Sequence, residues 1–119
     1  MLRLTVVVAA ACIFATLGRG VAAQAFPTHA VKIDAPYSAG AGPAVFTRAV
    51  ADRLAKLWGQ PVIVDARPGA SGFIALEAAK NAPPDGHELV VVSNAHVAIN
   101  PWLYRKLPYR PDQDFVPVA

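Results

Sequence analysis

The sequence predicts an α/β domain in which helices flank a parallel sheet. Three observations lead there. Short apolar runs rich in β-branched residues recur at "HAVKIDAPY", "PVIVDA" and "HELVVVSN". Two segments of helical periodicity stand between them, so strand, helix, strand, helix, strand follow one another along the chain. The links leaving the first two runs, "SAGAGP" and "RPGASG", are made almost wholly of small residues, as turns at the carboxyl ends of parallel strands often are.

Each element has its own justification. In the first run Val31, Ile33 and Ala35 alternate with Lys32 and Asp34, which predicts a strand with one more polar face. Pro43 suits the first turn of a helix, where its missing N–H costs nothing. Phe46, Val50, Leu54, Leu57 and Trp58 then recur at helical spacing, which predicts an apolar face turned to the core, with Arg48, Asp52, Arg53 and Lys56 largely off it. Gly59 reads as the carboxyl cap. "PVIVDA" is nearly continuous in Val and Ile, as a strand covered on both faces would be. "FIALEAAKNA" predicts a second helix that Pro83 and Pro84 end, and "PPDG" turns the chain into the third strand, "HELVVVSN". "AHVAINPWLYRKL" carries a helical turn before the Pro-punctuated end of the chain.

The amino-terminal residues look like an export leader rather than part of the fold. A basic start at Arg3 precedes an apolar run from Val6 to Leu17, then a break at Gly18-Arg19-Gly20 and small residues suited to cleavage after Ala23 or Ala25. A bilayer span needs about 20 apolar residues, more than this run supplies, so no membrane span is expected after cleavage. Residues 1–25 are thus assigned to a secretory signal peptide and 26–119 to the exported domain. Cys12, the single cysteine, falls inside the leader without a lipobox before it. Loss of Arg3 and Arg19 leaves nine basic residues against eight acids, and no basic run survives, so nucleic acid is not an expected partner.

In an open parallel sheet, ligands bind beyond the carboxyl ends of the strands, beside helix amino termini that favour anions. Three loops leave such ends here: Tyr37 to Gly42, Arg67 to Gly72, and Ser93 to His96. Small residues would let backbone N–H groups approach a carboxylate or phosphate, and Ser38, Ser71, Ser93 and Asn94 add neutral partners. Tight turns alone would explain any one loop. Gly40-Ala41-Gly42 does not complete a dinucleotide fingerprint, and neither a Walker lysine nor a G-x-S-x-G elbow is present. His29, His87 and His96 lack paired metal-ligand spacing, so no metal or cofactor is expected. His87 reads as a solvated turn residue, and His96 stands evenly between a site role and structural hydrogen bonding. Arg67 could meet a carboxylate ligand or form an ion pair, and Trp58 and Trp102 read as packing residues. A Ser93/His96 nucleophile pair lacks a supporting acid or oxyanion motif, so no catalytic residue is assigned.

From Phe26 onward the chain resembles the Bug-type substrate-binding proteins of tripartite tricarboxylate transporters. The resemblance rests above all on "WGQPVIVDARPGASG", "PPDGHELVV" and "AINPWLYRKLPYRPDQDF". It implies a periplasmic-binding-protein-like fold of two α/β lobes that closes on a small carboxylate and delivers it to membrane permease subunits. Such proteins run much longer, so residues 26–119 would be part of the first lobe only. The family's first loop, roughly P-F/Y-x-x-G-G-x-x-D, matches at Pro36, Tyr37 and Gly40, while its second Gly falls on Ala41 and its Asp on Ala44. Since members recognising an amino group use that Asp, the mismatch favours a plain tricarboxylate or dicarboxylate. Carried over as cleft residues are Tyr37, Ser38, Gly40, Gly42, Ser93, Asn94 and His96, with Ala70 and Ser71 beside them. Three alternatives stay open: a truncated product that binds nothing, a receptor that presents its ligand to a membrane sensor, and an exported enzyme.

Overall fold

The computed structural model describes residues 25–118. Leader residues 1–24, with Cys12 and the cleavage site after Ala23, lie outside the described residues. Three strands, β1 (Val31–Ala35), β2 (Val62–Ala66) and β3 (Glu88–Val90), form a sheet in the order β2-β1-β3. Both pairings are parallel, with Val31 opposite Val62 and Lys32 opposite Glu88. Helix α1 (Gly42–Trp58) links β1 to β2, and helix α2 (Phe73–Lys80) links β2 to β3. Because the chain steps from β1 out to β2 and then back across β1 to β3, the two crossovers run in opposite directions, and right-handed connections put α1 and α2 on opposite faces. A wide helical turn at Ala95–Ile99 runs into a short helix α3 (Asn100–Leu103).

The core is small. Val31, Ile33 and Ala35 of β1, Ala44 and Ala51 of α1, Ala75 and Leu76 of α2, and Tyr109 from the final segment are all buried. Three predicted features differ from this arrangement. The buried stripe of α1 is Ala44, Thr47 and Ala51, while Phe46 is 72% and Leu57 is 69% exposed. Small side chains let the helix axis approach the sheet closely, and the larger apolar residues, one-third of a turn away, face outward. β2 is an edge strand rather than a doubly covered one, with Ile63 half-exposed. β3 is confined to Glu88–Val90, with one further ladder bond from Val91 N–H to the Asp34 carbonyl before the chain leaves the sheet.

The start and stop signals of α1 act as the sequence predicts. Pro43 occupies its first turn, and Gly59, at φ 65°, closes it with an N–H bond to the Ala55 carbonyl at 3.0 Å. No heavy atom would meet a side chain added at Gly59, so only backbone strain opposes one. Gly59→Ala is expected to cost about 1 kcal/mol, read as a shift in the urea midpoint.

One strand feature runs against ordinary patterning. Asp34 lies on the polar face of β1, as predicted, yet its side chain is wholly buried. Lys32 Nζ lies 3.5 Å and Arg67 Nε 3.2 Å from Asp34 Oδ1, and these cations also pair with Glu88 (2.6 Å) and Asp65 (2.8 Å). Burial is the main cause that pushes the Asp34 carboxyl up to about 6.

Candidate functional site

Since all three strands are parallel, their carboxyl ends open on one edge. The ladder runs to the last residue of β1: Arg67 N–H donates to the Ala35 carbonyl at 2.8 Å, and Val91 N–H to the Asp34 carbonyl at 2.9 Å. The three following loops therefore start abreast and converge at one point. Gly72 is buried there, and a methyl group on it would overlap the His96 imidazole and stand 3.3 Å from Pro36 Cβ. Pro36, Gly72 and His96 bring the first, second and third loops together.

Two helices begin at this edge without caps. Ala41 before α1 and Gly72 before α2 offer no side-chain hydrogen bond, and neither helix has an acidic residue in its first turn. Their amino termini thus keep the partial positive charge and the donors that suit an anion. Gly40 and Gly42 border open space, with nothing within 4 Å of where a Cβ would stand. Of the first loop's N–H groups, that of Ala41 is already bonded to the Ser38 carbonyl at 2.9 Å.

The second loop is strained. Gly69, Ala70, Ser71 and Gly72 follow one another with φ of 117°, 45°, 53° and 87°. Two of these are not glycine, and each such residue costs about 1–2 kcal/mol in the left-handed region. The surroundings hold the turn in place. Ser71 Oγ and Tyr104 Oη share a hydrogen bond of 2.7 Å, Asn100 Nδ2 donates to the Ser71 carbonyl at 3.3 Å, and Gly72 N–H donates to the Gly69 carbonyl at 2.9 Å.

The third loop presents His96, which is buried, so desolvation lowers its pKa and keeps the ring neutral. Ser93 N–H donates to Nδ1 at 3.0 Å, and this assigns the ring proton to Nε2, on the side of Gly72. Ser93 Oγ is also 3.2 Å from Nδ1. That contact looks like a nucleophile and base, but the backbone N–H already occupies the basic lone pair. Among the described residues no carboxylate pairs with Nε2. The pair is built for positioning and donation rather than for proton abstraction.

The site residues expected from sequence divide into groups. Tyr37, Ser93 and His96 come together, the Tyr37 ring lying 6.1 Å from that of His96, while Ala70 and Ser71 lie on the exposed turn that leads into Gly72. Ser38, Gly40 and Gly42 line the exposed rim of the first loop, and Asn94 is exposed. Arg67 resolves as an ion-pair residue bound to Asp65 and Asp34. Trp58 packs edge-on against Phe26 at 5.7 Å, whereas Trp102 is 92% exposed and does not pack as expected. Sequence reasoning missed the supporting role of Asn100, Tyr104 and Tyr109, although they lie within "AINPWLYRKLPY". Asn100 Nδ2 donates to Tyr109 Oη at 3.2 Å, and Tyr109 Oη donates to the His96 carbonyl at 2.7 Å. The sequence signals were the resemblance of Ser93, His96, Asn100 and Pro101 to a family stretch and a pair of tyrosines beyond a helical turn, and neither says what Asn100 or the tyrosines bind.

At the amino ends of the strands, ligand atoms of His29, Asp85 and His87 lie within 4.8 Å of one another. His87 is half-buried rather than a solvated turn residue. Thr28 N–H donates to His87 Nε2 at 3.2 Å, which puts the ring proton on Nδ1, facing Asp85 at 3.3 Å. The His29 and His87 rings stack 3.6 Å apart and 9° from parallel, so their lone pairs do not converge. The cluster is arranged as a packing clasp.

A family model described as the tripartite tricarboxylate transporter family receptor matches residues 46–119. A UPF0065 protein of Bordetella bronchiseptica is 41% identical over 97 residues, covering 82% of this chain and 29% of that protein. Protein BugT of Bordetella pertussis is 32% identical over 120 residues, covering 100% of this chain and 37% of its own length. Among solved structures, MatC of Rhodopseudomonas palustris with bound malate matches with a TM-score of 0.74 and 36% identity, over 79% of this chain and 32% of that one. An R. palustris protein with adipate matches with a TM-score of 0.74 and 33% identity, over 78% and 31%. This chain thus spans about a third of the length of these relatives. With its parallel sheet and flanking helices it forms part of a periplasmic-binding-protein-like lobe, and it belongs to the receptor family of the tripartite tricarboxylate transporters.

Proposed function

We propose that this chain forms one wall of the ligand cleft in a periplasmic receptor, which captures a small dicarboxylate or tricarboxylate and passes it to transporter permease subunits. The observation that carries this reading is the uncapped amino terminus of α2 beside a neutral imidazole, where three loops converge, with the uncapped start of α1 following the first of those loops. Such a site supplies backbone and Nε2–H donors to an anion without a group that would attack it. Malate and adipate in two solved relatives support a carboxylate ligand. Ala44, where the family pattern carries Asp, is buried on α1 and offers no charge to an ammonium group, which favours an acid without an amino group. Among the described residues no helix is long and apolar enough to cross a membrane, in keeping with a receptor released by cleavage of residues 1–25.

The test is calorimetric titration of the full chain with malate, adipate and citrate, beside a Gly42→Leu variant. Gly42 has open space around it, so the variant should fold as the parent does. Its bulk at the rim of the first loop is expected to weaken carboxylate binding at least about tenfold. Absence of heat with all three acids in the parent would refute the reading.

A further inference from the structure

We propose that Tyr104 and Asn100, supported by Tyr109, are the positioning residues of the anion site, holding the Gly69–Gly72 turn in its left-handed form at a fixed distance from His96. The significance of this arrangement for ligand binding rests on the carboxylate reading above. The geometry is reciprocal. Ser71 is gripped twice, through its hydroxyl by Tyr104 (2.7 Å) and through its carbonyl by Asn100 (3.3 Å). Asn100, itself buried, reaches Tyr109 Oη, and that hydroxyl donates to the carbonyl of His96. One hydrogen-bonded chain therefore runs from the strained turn of the second loop to the backbone of the third.

The aromatic rings complete the frame. Phe73, the first residue of α2, meets Tyr104 edge-on at 4.9 Å and Tyr109 at 5.9 Å, and Tyr109 packs on Phe115 at 6.0 Å. The start of α2 is thereby fixed against the same residues that hold the turn before it. Two consecutive non-glycine residues at φ 45° and 53° persist only where the surroundings over-determine them. Here the determinants are side chains some thirty residues away, on the segment after β3. The Ser71 hydroxyl is also committed to Tyr104, so Ser71 serves the site chiefly by where its backbone is placed.

Tyr104→Phe and Ser71→Ala, singly and together in the full chain, test this through amide hydrogen exchange and titration with malate. Tyr104→Phe keeps the ring on Phe73 and removes only the hydroxyl. Each single variant is expected to speed exchange at residues 70–73 about tenfold, with amides of β1 unchanged, and the double variant to match the singles because one bond is lost in all three. Malate affinity is expected to fall by a similar factor. Unchanged exchange at residues 70–73, or a uniform rise that includes β1, would overturn the proposal whether or not the parent binds malate. A parent that binds malate, with variants that bind it equally well, would overturn it too. A parent that binds none, with the local exchange pattern as expected, would uphold the positioning and refute the carboxylate reading alone.

Discussion

Gly72→Ala is expected to destabilise the domain by about 3 kcal/mol and to abolish ligand binding, measured by urea denaturation and by titration. Two costs add. Gly72 sits at φ 87°, where any L side chain is strained, and its Cβ would overlap the His96 ring and press on Pro36. Neither neighbour gives way easily. His96 is buried and tied to Ser93 through Nδ1, and Pro36 is buried at the end of the central strand. Relief must therefore come from separating the loops whose meeting makes the site. Gly42→Ala is the control, since open space surrounds that position, and it should shift stability by less than about 0.5 kcal/mol.

The second large effect concerns pH. Folded Asp34 holds its proton up to about 6, against an ordinary value of 3.8. Between those values the native state binds more protons than the unfolded chain, so stability falls as pH rises through that window and levels off above it. At about 1.4 kcal/mol per unit, Asp34 by itself loses roughly 3 kcal/mol from pH 4 to pH 8, and Glu88, whose carboxyl is held below its ordinary range by Lys32 and Asp34, offsets part of that loss. His96 acts in the opposite sense. Its pKa is lowered from 6.5, so its contribution is present above that value and is lost as pH falls below it. Asp34→Asn should remove the falling limb and leave the rising one. The substitution strands neither cation, since Lys32 keeps Glu88 and Arg67 keeps Asp65. Denaturation midpoints of both proteins at unit steps from pH 4 to pH 8 check this.

Much of the fold was legible because local chemistry carried it. Pro43 and Gly59 marked the ends of α1, Pro83 and Pro84 lay just beyond α2, and the β-branched runs marked the strands. The loops at the strand ends followed from parallel topology, and so did the meeting of the second and third at Gly72 and His96. Burial was less legible. Phe46 and Leu57 make the larger apolar stripe of α1, yet Ala44, Thr47 and Ala51 face the sheet, because close packing selects for small residues as well as for hydrophobic ones.

The sequence by itself determined the order of elements and the small-residue loops that leave the first two strands. Only the tertiary structure decided how those loops are held. That Arg67 is committed to two carboxylates, that Asp34 is buried, and that Asn100, Tyr104 and Tyr109 brace the second loop depend on pairs separated by many residues in the chain. Turn and helix signals act over a few residues, so they are written locally. A hydrogen bond from Tyr104 to Ser71 exists only once β3 has paired with β1 and brought the segment after it to the same sheet edge.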